Sequence, residues 1–177
     1  MQLKNVTSLR QWCRIKKLYR KAFPANERKP FGMIRQKHAQ KKSDVWILDN
    51  RGEFIGFAIT MNVGDRVLLD YFAIDAKKRG MGYGSEALNL LQEYYKDVRF
   101  FLEIERVDVE ADNLADRQRR KAFYCNNGMV ELGVKCRVFG VEMELLGYQC
   151  EVTFEEYYDI YYQLYGEWAA RNIIKTD

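Results

Sequence analysis

Apolar residues recur at spacings of three and four near the start of the chain, at Leu9, Trp12, Ile15, Leu18, Tyr19 and Ala22, which predicts an amphipathic helix over residues 9–22. Phe23-Pro24 ends it, because proline has no N–H to donate and disfavours a helical residue before it. A polar loop, Ala25-Asn26-Glu27-Arg28-Lys29-Pro30, leads to a weaker basic helix over residues 32–42. From Val45 the period changes to that of strands: VWILDN and EFIGFAITMN flank a turn at Asn50-Arg51-Gly52, and RVLLDYFAID follows. SEALNLLQEYYKD returns to helical spacing, with Ala87, Leu88, Leu91 and Tyr95 on one side. FFLEIERVD reads as a strand, an acidic loop follows it, and DRQRRKAFYCNNG reads as a helix stopped by Gly128. MVELGVKCRVFGVEMELLGYQ holds two more strands. Thr153-Phe154-Glu155-Glu156 has the form of a capping box and opens a helix over 154–165, with Tyr157, Ile160, Tyr161 and Leu164 as a core stripe.

Helices and strands in this order describe a mixed α/β domain. At 177 residues, 47% hydrophobic and 31% charged, the chain can bury a core without metal or disulfide support. No apolar run approaches the roughly 18 residues that span a bilayer, and no leader precedes the first helix, so a cytoplasmic protein without a membrane partner is expected. The four cysteines, Cys13, Cys125, Cys136 and Cys150, are widely spaced and read as free, buried thiols. Charge is divided unevenly. Residues 1–42 carry 13 Lys or Arg and a single acid, Glu27, whereas the rest balances to −8. Such a split marks either an anion-binding surface or basic helices packed on an acidic body.

The segment Arg79-Gly80-Met81-Gly82-Tyr83-Gly84-Ser85 lies between a strand and a helix. Its glycines lack the Cβ atoms that would hold a ligand off the backbone. The following helix offers unpaired N–H groups and the positive end of its dipole. With Lys77, Lys78 and Arg79 alongside, the turn suits a phosphorylated cofactor. Neither a Walker loop nor a dinucleotide fingerprint has this spacing.

The same segment resembles the R/Q-x-x-G-x-G/A turn of the GNAT superfamily of acyl-CoA N-acyltransferases, on Arg79, Gly82 and Gly84. Asp70-Tyr71-Phe72-Ala73-Ile74-Asp75 is similar to the strand that precedes that turn in the family, and Ala122-Phe123-Tyr124-Cys125-Asn126-Asn127-Gly128-Met129 resembles its FYxxxGF box. The resemblance implies one domain over residues 1–177, with helix 154–165 as an appendage, and a central sheet of six to seven strands, flanked by helices and splayed where acetyl-CoA binds. It implies that Phe72, Ala73 and Ile74 pair with the pantetheine arm. It further implies that Arg79, Gly80, Met81, Gly82, Tyr83, Gly84 and Ser85 hold the pyrophosphate. One departure stands out: Arg117 and Arg120 occupy positions where the family carries Asn and Ala. Asn113 is the candidate to replace that Asn.

The implied activity is acetyl transfer from acetyl-CoA to an amine by direct attack, without a metal and without a covalent enzyme intermediate. Such a reaction needs a base for the ammonium and an acid for the departing thiolate. By resemblance Tyr124 is the acid and Glu103 the base, with Asp70 as the second candidate. His38 reads as a surface histidine. Asn26, Glu27 and Arg28, between the first two helices, are implied to line the acceptor side. The opposite wall is expected from the loop between Glu103 and Asp116, where acids outnumber the one cation, Arg106. The expected acceptor is a small-molecule or peptide amine, with a homodimer as the assembly allowed for. A non-catalytic acyl-CoA sensor and an RNA-associated acyltransferase are the rival readings; no aromatic-plus-basic RNA signature supports a nucleic-acid partner.

Overall fold

Ser8 heads α1 (Leu9–Ala22) in the computed structural model, which describes residues 1–177 apart from the Asn26 side chain. The Ser8 hydroxyl accepts from Gln11 N, and the Gln11 side chain accepts from the N–H groups of Thr7 and Ser8. This capping box satisfies donors that helix geometry leaves without partners. Ile15, Leu18 and Tyr19 are buried as their spacing predicts, but Leu9 is 73% exposed and lies outside the packed stripe. After a 3-10 turn at Ala25–Glu27, α2 (Phe31–Ala39) ends before the expected residue 42, because Lys41 turns into the left-handed region at φ 58°.

The remaining elements are β1 (Gln2–Asn5), β2 (Val45–Asn50), β3 (Glu53–Val63), β4 (Arg66–Ile74), α3 (Tyr83–Tyr94), β5 (Arg99–Glu105), α4 (Leu114–Asn126), β6 (Val130–Val138), β7 (Val141–Tyr148), α5 (Phe154–Tyr165), α6 (Glu167–Ala170) and β8 (Ile173–Thr176). The strands follow the order β1-β2-β3-β4-β5-β7-β6-β8 in one mixed sheet, eight rather than six or seven. The unanticipated members are β1 and β8. Both are four residues long, too short to show alternation, and are defined by their backbone pairing to β2 and β6.

The chain divides into two compact units, and β4 starts in one and ends in the other. The first unit comprises Met1–Asn62 and Leu69–Tyr94. Its β2–β3 hairpin turns through Arg51 and Gly52, both at positive φ (52° and 87°), the turn geometry whose twist suits paired strands. Ile15, Leu18 and Tyr19 of α1 and Ile34 of α2 pack with Val45, Ile47, Phe57, Ile59, Tyr71 and Ala73 on one sheet face. On the other, Ala87 of α3 packs with Leu48, Ile55 and Ile74, and Phe72 and Tyr83 lie against them.

The second unit comprises Val63–Leu68 and Tyr95–Asp177, with β5, β7, β6 and β8 paired antiparallel in that order. The Thr153–Glu156 capping box opens α5 as expected, and Tyr157, Ile160, Tyr161 and Leu164 are buried. Arg99 grips both Asp65 oxygens at 2.8 and 3.0 Å and reaches Glu156 at 2.6 Å, while Arg66 bonds Asp159 at 2.7 Å and the Glu156 carbonyl at 2.8 Å. Two guanidiniums thus fasten the head of α5 within this unit. Gly128 stops α4 at φ 86°. Among the described residues no helix is long and apolar enough to cross a membrane.

One glycine is demanded by contact. A Cβ at Gly56 on β3 would lie 2.1 Å from the Ala73 carbonyl oxygen of β4, a backbone atom that cannot swing aside. Gly32 in α2 has nothing within 4 Å of its Cβ position. Gly56→Ala is therefore expected to destabilise by about 1–3 kcal/mol or more, as overpacking does. Gly32→Ala should be neutral or stabilising by up to about 1 kcal/mol. Urea unfolding of the two variants beside the parent checks both signs.

Candidate active site

The glycine turn connects β4 to α3. Gly80 and Gly82 stand at φ 75° and 78°, where residues with a Cβ are strained, and the space beside each is open to 4 Å. The N–H groups of Tyr83, Gly84 and Ser85, in the first turn of α3, have no acceptor within the helix. The turn is fixed from several sides. Arg79 Nε donates to Ile74 O at 3.3 Å, Asp75 accepts from Lys77 N at 3.0 Å, and the Tyr83 hydroxyl accepts from Asn50 at 3.2 Å. Lys78 pairs with Glu53 at 2.5 Å, so its charge is partly matched, while Met81 projects into solvent at 62% exposure.

The loop between α1 and α2 is held by two tyrosines. Tyr71 on β4 donates to the Glu27 carbonyl at 2.9 Å and accepts from Lys29 N at 3.1 Å, and Tyr19 donates to the Lys29 carbonyl at 3.1 Å. The rings of Tyr19 and Tyr71 meet edge to face at 4.8 Å. Burial pushes the Tyr19 phenol up to about 12 and that of Tyr71 further, so both hydroxyls stay protonated and serve as fixed hydrogen-bond partners. Lys29 Nζ lies 2.6 Å from Asp70, whose side chain is 4% exposed. Asp70 is thus ion-paired. Tyr19, Arg20, Arg28, Lys29 and Phe31 line a pocket of about 230 Å³ beside this loop. Arg28 belongs to that lining; the side chain of Asn26 lies outside the described residues, and Glu27 contributes its carbonyl to Tyr71. His38, expected at the surface, is half-buried: it packs on Trp12 at 5.5 Å and its Nδ1 lies 3.0 Å from Ser43 O.

In the second unit, Glu103 on β5 accepts hydrogen bonds from the hydroxyls of Tyr157 and Tyr161 on α5. Cys136 lies beside them with its thiol pushed up to about 12 by burial, so it remains neutral. Cys13 and Cys125 are exposed rather than buried. Tyr124 on α4 is 9% exposed, and burial raises its phenol to about 12 against the opposing charge of Arg120. No protein group hydrogen-bonds the Tyr124 hydroxyl among the described residues, which leaves a protonated donor uncommitted.

The acidic stretch after β5 is largely neutralised. Glu105 holds Arg117 at 2.9 Å and Arg120 at 2.8 Å, Asp108 takes both Arg106 and Lys135, and Asp116 pairs with Arg119. The expectation of an acidic wall counted charge along the segment and missed the cations that α4 and β6 bring to it. Asn113 is engaged at both ends of its amide, accepting from Arg117 Nε at 2.7 Å and donating to Glu105 at 3.4 Å.

The model of the acetyltransferase (GNAT) family matches residues 12–123. The chain belongs to the GNAT acetyltransferase family. Among solved structures, a GNAT-family protein from Bacteroides thetaiotaomicron superposes with a TM-score of 0.79 at 20% identity, over 94% of this chain and 99% of that one. An aminoglycoside 6'-N-acetyltransferase complexed with coenzyme A gives 0.67 at 14% identity, over 83% and 96%. The ribosomal-protein-S18-alanine N-acetyltransferase from Escherichia coli gives 0.61 at 17%, over 86% and 95%. At these identities the likeness is one of fold. No curated protein sequence matches the chain.

For a GNAT acetyltransferase, the positions of Arg117 and Arg120 are the unusual ones. They do not project as lone charges; together they clamp Glu105, which is 9% exposed, and Arg117 also donates to Arg106 O at 3.1 Å. Sequence reasoning saw Glu103 and Tyr124 but not the hydroxyls of Tyr157 and Tyr161, since helical spacing marks these tyrosines as core and says nothing of what their tips reach. Glu105→Ala would leave Arg117, itself 13% exposed at its side chain, without its acid. A loss of about 3 kcal/mol is expected, at the low end for a broken buried pair because Arg120 reaches water. Asp116→Ala, which breaks a pair exposed at 60% and 79%, should shift stability by no more than about 0.5 kcal/mol. Chemical denaturation of both variants tests the ranking.

Proposed function

We propose that this GNAT family member transfers an acetyl group from acetyl-CoA to an amine by direct attack. The observation that carries the reading is the turn at Gly80 and Gly82, whose open left-handed backbone runs into the unpaired N–H groups of α3. Those donors and the helix dipole suit a pyrophosphate, and a Cβ at either glycine would stand in the space such a group needs. Phe72, Ala73 and Ile74 at the end of β4 take the pantetheine arm in this reading, and Arg79 through Ser85 take the pyrophosphate. No group of side chains suited to hold a metal occurs among the described residues, and the role given to each residue needs none.

Tyr124 is the acid in this account. Its hydroxyl stays protonated far above neutral pH and can pass its proton to the sulfur as the carbon–sulfur bond breaks. Glu103 is the base: the neutral amine attacks the thioester carbonyl, and Glu103 accepts, directly or through water, the one proton the nitrogen sheds as the new carbon–nitrogen bond forms. The hydroxyls of Tyr157 and Tyr161 hold its carboxylate in one orientation. Asp70 is less suited, since protonating it would break its pair with Lys29. It acts instead on the loop that Lys29 anchors. The proton gained by Glu103 and that lost by Tyr124 balance through solvent, which resets both groups. Thiols in a reducing cytoplasm suit the four unpaired cysteines.

Acetyl-CoA at about 100 times its dissociation constant should stabilise the protein by about 2.7 kcal/mol, because the turn exists as a binding surface in the native state alone. Calorimetry and a thermal shift measure this directly, and well-folded protein that binds no acetyl-CoA would remove the basis of the reading. Gly82→Ala tests the turn only alongside its stability without ligand, since φ 78° penalises the change by itself.

Tyr124→Phe preserves the ring and deletes the donor. It should leave acetyl-CoA affinity intact and lower turnover by about 100- to 10,000-fold. Turnover equal to the parent would transfer the acid role to water. Tight acetyl-CoA binding with no transfer to any amine would make the protein a sensor instead.

A further inference from the structure

The pocket beside the α1–α2 loop is lined by three cations, Arg20, Arg28 and Lys29, and by no acid. Lys29 is matched by Asp70 at 2.6 Å. Arg20 and Arg28 form no ion pair among the described residues; Arg28 Nη1 reaches the Arg20 carbonyl at 3.5 Å, the limit of a hydrogen bond. Arg66, Arg99, Arg106, Arg117, Arg120 and Arg137 each hold a carboxylate, whereas Arg20 and Arg28 belong with the arginines that hold none and are set apart by lining the same pocket. Two forked donors of like charge therefore share one concavity, with no protein anion to separate them.

The rest of the pocket adds an apolar wall. Phe31 presents carbon surface, backed by the buried Tyr19 ring at 5.7 Å, and Lys16 Nζ sits 5.8 Å from the centre of the Phe31 ring. The pocket is also tied to β4, because Lys29 N donates to the Tyr71 hydroxyl and Lys29 Nζ to Asp70. Those two residues immediately precede Phe72, Ala73 and Ile74. A ligand seated here lies beside the strand assigned above to the pantetheine arm.

From this geometry we infer that the acceptor is an amine carrying an anionic oxygen group, a carboxylate or a phosphate, bound by Arg20 and Arg28. Phe31 packs against its carbon skeleton. A guanidinium fork matches either anion with two parallel hydrogen bonds and keeps its charge at every relevant pH. Lys29, already paired, supplies position rather than charge. The same charge argument disfavours polycations: a polyamine or an aminoglycoside would bring further positive charge to Arg20, Arg28 and Lys16 and offer them no anionic acceptor. The inference rests on the proposed acetyl transfer and adds the substrate class to it.

The test is thiol release from acetyl-CoA with matched acceptors: phenylalanine against phenylalaninamide, phosphoethanolamine against ethanolamine, and spermidine and kanamycin as polycations. Calorimetry of acetyl-CoA binding runs in parallel. The expected result is a kcat/KM about 10- to 100-fold higher for at least one anionic member than for its neutral match, the range that hydrogen bonds to charged groups supply. The two pairs tell a carboxylate site from a phosphate site. Arg28→Ala and Arg20→Ala should raise KM for that acceptor by about 10- to 100-fold with a smaller change in kcat and unchanged acetyl-CoA affinity. Arg28→Lys should recover part of the loss, because it restores the charge without the fork. Equal rates for the neutral matches, a preference for spermidine or kanamycin, transfer to none of the anionic amines while acetyl-CoA binds, or arginine variants with the parent KM would each overturn the inference and leave acetyl-CoA binding standing. Failure to bind acetyl-CoA would instead bring down the proposed transfer itself.

Discussion

A carboxylate with 4% of its side chain exposed cannot remain on a sheet without a counter-charge, and Asp70 on β4 obtains one from Lys29. Much of the first unit's surface geometry depends on that pair. It draws the α1–α2 loop onto β4, where the Tyr71 hydroxyl bridges the Glu27 carbonyl to the Lys29 N–H and Tyr19 closes the loop from the helix side. Backbone groups that an exposed loop would give to water are thereby met by phenols whose burial keeps them protonated. The loop is consequently a shaped wall, and Arg28 projects from a defined place.

The two units handle charge in opposite ways. In the second, most cations hold an acid, as Arg99 with Asp65 and Glu156, Lys121 with Glu131 and Glu144, and Arg106 with Asp108 show. Two acids titrate low: Arg106 and Lys135 hold Asp108 well below the usual carboxylate range, and the Thr153 N–H and Arg99 lower Glu156. Such depressed groups add stability above their unfolded values, and it drains away as pH falls through the folded ones. In the first unit, α1 carries Arg10, Arg14, Lys17 and Lys21 at spacings that align them on one exposed face, and its first turn contains no acid. Excess positive charge there is a property of the folded surface rather than an artefact of counting along the chain.

How far the sequence could be read follows from how local each determinant is. The capping box at Thr153, the stop at Gly128, the turn at Arg51-Gly52 and the glycine turn at Gly80-Gly82 are each set by a few adjacent residues, and all were legible as local structure. β1 and β8 were not, since four mostly exposed residues carry no periodic signal and are strands by virtue of their neighbours. The same limit applied at the site. Glu103, Tyr124 and the α1–α2 loop were candidates by resemblance, whereas the tyrosines that reach Glu103 and the Asp70 and Tyr71 groups that hold the loop lie far off in sequence. The acidic stretch after β5 illustrates the error this causes, because its neutralising cations sit on α4 and β6.

The hydroxyls that reach Glu103 come from residues 54 and 58 positions further along the chain. On a ribosome extending at about 5–20 residues per second, β5 would therefore wait several seconds with its carboxylate unmatched before α5 emerged. The first unit closes its own charged contact earlier, since Lys29 and Asp70 are both made before β5 begins. Synthesis thus imposes an order: the half that carries the glycine turn and the arginine pocket can settle while the other is still a nascent chain. The arrival of two tyrosines on the last long helix then completes the surroundings of Glu103.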